Sequence, residues 1–211
     1  LTWVERLDVG NKFITGNQVN RLQHTHTDGN IFVNGGLQAN DTVVLSATST
    51  SPRNIAVNST VDATNRAELR ATGSITQGTS GARTGLVDSS AVVLDAGADI
   101  GDINNDQQIN GGTLALSAGN SAFVQDRTGD LEVVGDGTLS RPAGAVQDLR
   151  IRVDNGDLTL SNDLAATNAA FVAGTDLTIN AQTTGPDIFI NGNVTAGQNL
   201  VFLAPGDIVS G

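Results

Sequence analysis

The sequence predicts an all-β fold, a right-handed parallel β-helix (β-solenoid) of about seven coils with little or no helix. Three observations lead there. Internal segments align on one another without gaps, apolar residues alternate in short runs, and the composition suits a thin aliphatic core.

The repeat is visible in the chain itself. Asn30-Ile31-Phe32-Val33-Asn34-Gly35-Gly36-Leu37-Gln38-Ala39 lies over Asp187-Ile188-Phe189-Ile190-Asn191-Gly192-Asn193-Val194-Thr195-Ala196. In the same register Val43 falls on Leu200, Val44 on Val201 and Ala47 on Ala204. A third copy opens at Asn54-Ile55-Ala56-Val57-Asn58, and a fourth at Asp157-Leu158-Thr159-Leu160. Each has an Asp or Asn, apolar-x-apolar, a polar turn, apolar-x-Ala, another turn and a third apolar pair. Alternation of period two puts residues i and i+2 on one strand face. Turn formers bound strands of three to five residues, which stack at the ~4.8 Å strand spacing into a rod on the order of 35 Å long. One inward ladder is expected through Ile31, Ile55, Leu158 and Ile188, and a second through Val33, Val57, Leu160 and Ile190. Asn34, Asn58 and Asn191 share one turn position, as turn formers or as an amide ladder.

Taken in order, residues 1–28 match the repeat poorly and hold Trp3, Lys12, His24 and His26; they read as an atypical coil, a cap or a linking segment. Residues 29–211 read as solenoid, with looser, loop-rich coils at about 79–127. Insertions in solenoids gather on one face, often the binding face, so Asp99 to Gly112 is where function is sought. The chain opens at Leu1 without a basic-then-apolar leader, as an excised segment would.

Composition sets the exclusions. Hydrophobic residues make up 38% and aromatics 3%, with no Cys, Met or Tyr. Compact globules lean on large aromatics, which bury ~150–250 Å² each; a core one side chain thick does not need them. A formal net charge of −11 repels polyanions, so nucleic acid is not an expected partner. Without cysteine there is neither a disulfide framework nor thiolate chemistry. No apolar run approaches the ~18 residues of a membrane helix, and no membrane insertion is expected.

The run from Asn193 to Ile208 (Asn-Val-Thr-Ala-Gly-Gln-Asn-Leu-Val-Phe-Leu-Ala-Pro-Gly-Asp-Ile) resembles the repeats of filamentous-haemagglutinin-like adhesins, of the form x-apolar-x-Ala-Gly-x-x-Leu-x-Leu-x-Ala-x-Gly-x-Ile. Leu164 to Leu177 is similar to a second copy, and Val61 to Ile75 to a third. The resemblance covers about two thirds of the chain. It implies an extracellular bacterial surface protein or filament, exported by a two-partner or autotransporter-type route. Its partners would be neighbouring repeats or solenoid ends, and glycans of a host or cell surface.

Candidate chemistry is sparse. Asp102, Asn104, Asp106 and Asn110 fall at the first, third, fifth and ninth positions of a loop similar to a dockerin or EF-hand calcium loop. Gln107 stands where that loop needs its turn glycine, and Thr113 where it needs the closing acid, so calcium is a candidate cofactor against the reading of a solvated polar loop. His24-Thr25-His26 puts two imidazoles on one strand face without further ligands. Arg66, Glu68 and Arg70, like Arg150 and Arg152, alternate outward and read as solvent-facing charges. No catalytic residues emerge. The rival class is a carbohydrate-active β-helix enzyme, a polysaccharide lyase or hydrolase, which needs acids and bases converging in one groove.

Overall fold

The computed structural model describes residues 20–78, 85–173 and 186–211, with the backbone of 6–8. Parallel strands stack as a β-solenoid of about seven turns, with no helix among the described residues. Strands β1 (Arg6–Asp8) and β2 (Arg21–His26) precede a coil of β3 (Asn30–Val33), β4 (Leu37–Ala39) and β5 (Thr42–Ala47). β1 pairs with β3 and β2 with β5, so the segment before residue 29 supplies strands that stack on the first repeat. Trp3 and Lys12 lie outside the described residues.

The second coil is β6 (Ile55–Val57) and β7 (Thr60–Ala71), and the third is β8 (Ile75–Gln77) and β9 (Leu86–Ala96). β7 and β9, of 12 and 11 residues, exceed the expected strand length. Each runs through a corner without breaking, and their register shifts there between Ala63 and Arg66. The fourth coil has Ile100 as a single bridge, then β10 (Gln107–Asn110) and β11 (Thr113–Ala118).

The fifth coil contains β12 (Ala122–Asp126), β13 (Leu131–Val133) and β14 (Gly144–Ala145). β15 (Asp148–Val153), β16 (Leu158–Leu160), β17 (Leu164–Ala173), β18 (Ile188–Ile190), β19 (Val194–Leu203) and β20 (Ile208–Ser210) complete the stack.

Between the fourth and fifth coils the repeat changes phase. Before it, each coil has two short faces and one long one, the latter being β5 and the second halves of β7 and β9. β12 then lies under both short faces at once: Ala122 under Ile100, Val124 under Gln107. The long strand β11 is met by two short ones, with Leu114 paired to Val133 and Ala118 to Ala145. Downstream, the long faces β15, the second half of β17 and the second half of β19 therefore continue the column that the short faces began.

This divides the expected ladders. Ile31 pairs with Ile55, which pairs with Ile75, and the column continues through Ile100 and Ala122 to Leu149. Leu158 pairs with Ile188, but their column runs from Leu131 to Ile208. Val33–Val57 and Leu160–Ile190 are split in the same way. Ungapped copies share a strand grammar, whereas the phase change decides which face each strand meets. Within each column the expectation holds: Ile31, Ile55, Ile75, Ile100, Leu158 and Ile188 are all fully buried. The Asn position divides likewise. Asn58 Nδ2 donates to Asn34 Oδ1 at 2.5 Å, while Asn191 belongs to the other column, its amide donating to the Leu160 carbonyl at 2.8 Å.

The Asp or Asn that opens each copy has a structural role. Asn30 Oδ1 accepts the amide of Asn54 at 2.8 Å, and Asn54 Oδ1 accepts that of Ser74 at 2.7 Å. Ser74 Oγ accepts Asp99, Asp99 Oδ1 accepts Ser121, and Ser121 Oγ accepts Asp148. The second column has its own series, in which Asp130, Asp157 and Asp187 accept the amides of Asp157, Asp187 and Asp207. Corner amides have turned away from the strand ladder and need an acceptor when buried. The preceding coil's side chain provides it.

Residues 134–143, between β13 and β14, run back over the outside of the long face as a strap. Asp136 pairs with Arg66 at 2.7 Å, the Thr138 carbonyl accepts from Arg70 at 2.6 Å, and Ser140 donates twice to Asp95. Arg66, Glu68 and Arg70 are thus partly covered by this strap instead of facing open solvent. The chain re-enters the stack at Gly144, whose φ of +114° only glycine adopts readily.

Candidate functional site

Among the candidates that the sequence offers, the loop after Ile100 leads to a depression on the outer surface. Gly101, with φ +65°, lets the chain leave the coil, and a Cβ there would lie 2.5 Å from the Phe123 carbonyl oxygen. The chain then closes a tight turn in which Asp102 and Asn105 exchange backbone hydrogen bonds, each of 3.0 Å. Asp102 Oδ1 accepts the Asn104 amide at 2.8 Å, which sets the turn and leaves Ile103 at its tip, 63% exposed.

Asp106 follows with its side chain nearly buried, because two arginines close over it. Arg150 Nη2 donates to Asp106 Oδ1, and Arg152 Nη1 lies 3.7 Å from Asp106 Oδ2. These arginines occupy the outward positions of β15, where buried Leu149, Ile151 and Val153 alternate with them. Arg150 is held further by the Ile103 carbonyl at 3.0 Å, and its guanidinium carbon lies 4.9 Å from the centroid of Phe123, its partner on β12. Ile103, Asn104, Asp106, Arg150 and Arg152 line a cavity of about 320 Å³.

The four candidate calcium ligands are distributed as follows. Asp102 and Asn104 meet in the turn, Asp106 is bound by arginine, and Asn110 lies in β10 with its Nδ2 3.4 Å from Asp88 Oδ2. Among the described residues no three His, Cys, Asp or Glu side chains gather as a metal cluster. His24 and His26 do share one face of β2, with ring centroids 6.1 Å apart and the rings edge to face. Burial, and secondarily the charge of His26, lowers the His24 pKa.

In sequence Arg150 and Arg152 read as plain surface charges, and Asp106 as a calcium ligand. Their meeting spans 44 residues and two coils, so no local motif carries it. The one signal available is the Arg-x-Arg alternation on an outward strand phase, opposite the loop-rich coil.

A second, open depression of about 650 Å³ is lined by Thr27, Asp28, Thr48, Ser49, Thr50 and Thr72. Its carboxylate, Asp28, is bound by Arg53 at 2.8 Å. Compared with protein-family models, curated proteins and solved structures, the chain matches none of them.

Proposed function

We propose that this chain is a structural and adhesive β-solenoid segment of an extracellular bacterial surface protein or filament, able to stack end to end. The observation that carries this reading is the state of the last described coil. Ile208 stacks on the fully buried Ile188 yet is itself 49% exposed, and Leu200 under buried Ala169 is 43% exposed. Val201, Leu203 and Val209 add 40–42% exposed aliphatic surface on the same coil. Such a coil presents an apolar layer and strand edges that favour stacking by a second copy of the chain. The repeat resemblance supports the surface location. Sedimentation of the chain over a range of concentrations tests the stacking, with Leu200→Lys and Ile208→Lys in parallel. Elongated oligomers that the lysines dissolve are expected, and a monomer at every concentration would remove self-assembly through this coil.

One observation favours the carbohydrate-active reading: Asp106, Arg150 and Arg152 converge on one cavity of an outer face. Incubation with acidic polysaccharides, followed by assay of new reducing ends, tests for turnover; none on any polymer would leave the shaft reading alone.

A further inference from the structure

From the cavity between the Ile103 turn and β15, we infer a binding subsite for one carboxylate-bearing sugar ring, in which Arg152 takes the carboxylate. Arg150 and Asp106 form a close pair, and three contacts fix Arg150 in place: Asp106, the Ile103 carbonyl and the Phe123 ring. Arg152 differs. Its nearest carboxylates are Asp106 at 3.7 Å and Asp154 at 3.9 Å, both beyond hydrogen-bond range, and Asp154 already accepts from Gln125 Nε2 at 2.8 and 2.7 Å. Among the described residues the Arg152 guanidinium therefore has attraction but no hydrogen-bond partner, and it faces the cavity.

A guanidinium fork with free donors matches a planar carboxylate in two parallel hydrogen bonds. The rest of the lining suits a sugar bearing that carboxylate. The Asn104 amide offers a donor and an acceptor to neighbouring hydroxyls. The exposed Ile103 side chain presents an apolar surface to the C–H face of a ring. The volume lies at the small end of the usual ligand range of ~300–1,000 Å³, which favours one ring over several. The chain's net charge of −11 works against dense polyanions, so a single carboxylate beside a local arginine pair is the anion favoured here.

The inference requires neither turnover nor assembly, so it can fail or hold independently of both readings above. D-glucuronate, D-glucose and acetate are titrated into the full chain by calorimetry, with the Arg152 Nε–H resonance as a second readout. Glucuronate is expected to bind at least tenfold more tightly than glucose or acetate, with a shift of that resonance and weakening at high salt. Arg152→Gln is expected to reduce glucuronate affinity to that of glucose with circular dichroism unchanged, and Ile103→Ser to weaken both sugars but not acetate. Arg53→Gln, remote from the cavity, serves as control. Glucuronate binding no better than glucose, or unchanged in Arg152→Gln, overturns the assignment; acetate binding as tightly as glucuronate overturns its sugar component.

Discussion

The carboxylate of Asp126 accepts the backbone amide of Gly111 at 3.3 Å from inside the apolar stack, where Asp126 pairs with Ile109 of the preceding coil and Val153 of the next. Its side chain shares the inward phase of β12 with Ala122 and Val124, and all three are fully buried. Burial raises its pKa to about 7 against the amides of Gly111, Thr128 and Arg127, and the charge of Asp154 adds to the rise. The folded chain therefore prefers the neutral acid more than the unfolded chain does. Below the ordinary carboxylate pKa both states are protonated and there is no penalty. As pH rises from about 4 to about 7, stability is lost, by on the order of 4 kcal/mol in full. Asp126→Asn is expected to remove this slope and raise stability at neutral pH, as read from urea denaturation at several pH values. A wild-type stability that rises over that interval contradicts this.

Gly144 marks the return of the strap into the stack, and a Cβ there would lie 2.3 Å from the Ala165 carbonyl oxygen at a φ of +114°. Gly144→Ala should cost at least about 2 kcal/mol, from backbone strain plus the clash. Gly137, on the strap itself, has nothing within 4 Å of its would-be Cβ. Gly137→Ala is expected to stay within about 0.5 kcal/mol of the parent. Thermal denaturation of the two variants separates them.

Asp99 joins three coils at the first corner. Its amide donates to Ser74 Oγ at 3.3 Å, and its Oδ1 accepts from the Ser121 amide at 3.1 Å and Asn120 Nδ2 at 2.7 Å. Asp99→Ala leaves the Ser121 amide without this acceptor, at a cost of about 1–3 kcal/mol. Asp99→Asn retains an acceptor oxygen and should recover most of the loss. Equal denaturation midpoints for the alanine and asparagine variants would show that the corner ladder contributes nothing.

The coil is legible in the sequence because each coil repeats a local pattern. Alternation places Ile31 and Ile55 inward, and the ungapped copies put them, like Leu158 and Ile188, in adjacent coils of one column. Two features escape such a reading. Joining those pairs into one ladder assumes a constant phase, and the phase depends on β11 meeting both β13 and β14 across the strap. That pairing is a tertiary choice with no residue pattern of its own. The cavity escapes for a related reason. Asp106 and Arg150 are brought together by stacking, and an acid in a polar loop looks the same in sequence whether it faces a cation, an ion or water. Likewise, Asp126 follows Ala122 and Val124 in strict alternation, but charge alone would assign it to the surface.

The strap's ionic contacts give a last prediction. Desolvation would raise the Asp136 pKa, but the Thr138 hydroxyl, the Arg66 guanidinium and the Thr138 amide together hold it down to about 2. Glu68 beneath is lowered in the same way, desolvation being outweighed by Arg70 and Arg66. For an acid depressed on folding, the stabilisation is present above its ordinary pKa and lost as pH falls through the folded value. The strap should therefore stay latched at neutral pH and release between about pH 4 and about pH 2. Asp136→Asn removes the charge at every pH. The Arg66–Asp136 pair is partly solvent-screened, so a weakening of about 1 kcal/mol is expected, equivalent to roughly fivefold more frequent opening. Two local readouts follow that opening: amide exchange at Ser140, which donates to Asp95, and chymotrypsin cleavage after Leu139, whose amide donates to the Asp136 carbonyl. Both should rise in Asp136→Asn, while the amide of Ile55, deep in the stack, keeps its protection. Unchanged exchange at Ser140 would mean that backbone and Asp95 contacts hold the strap without Asp136.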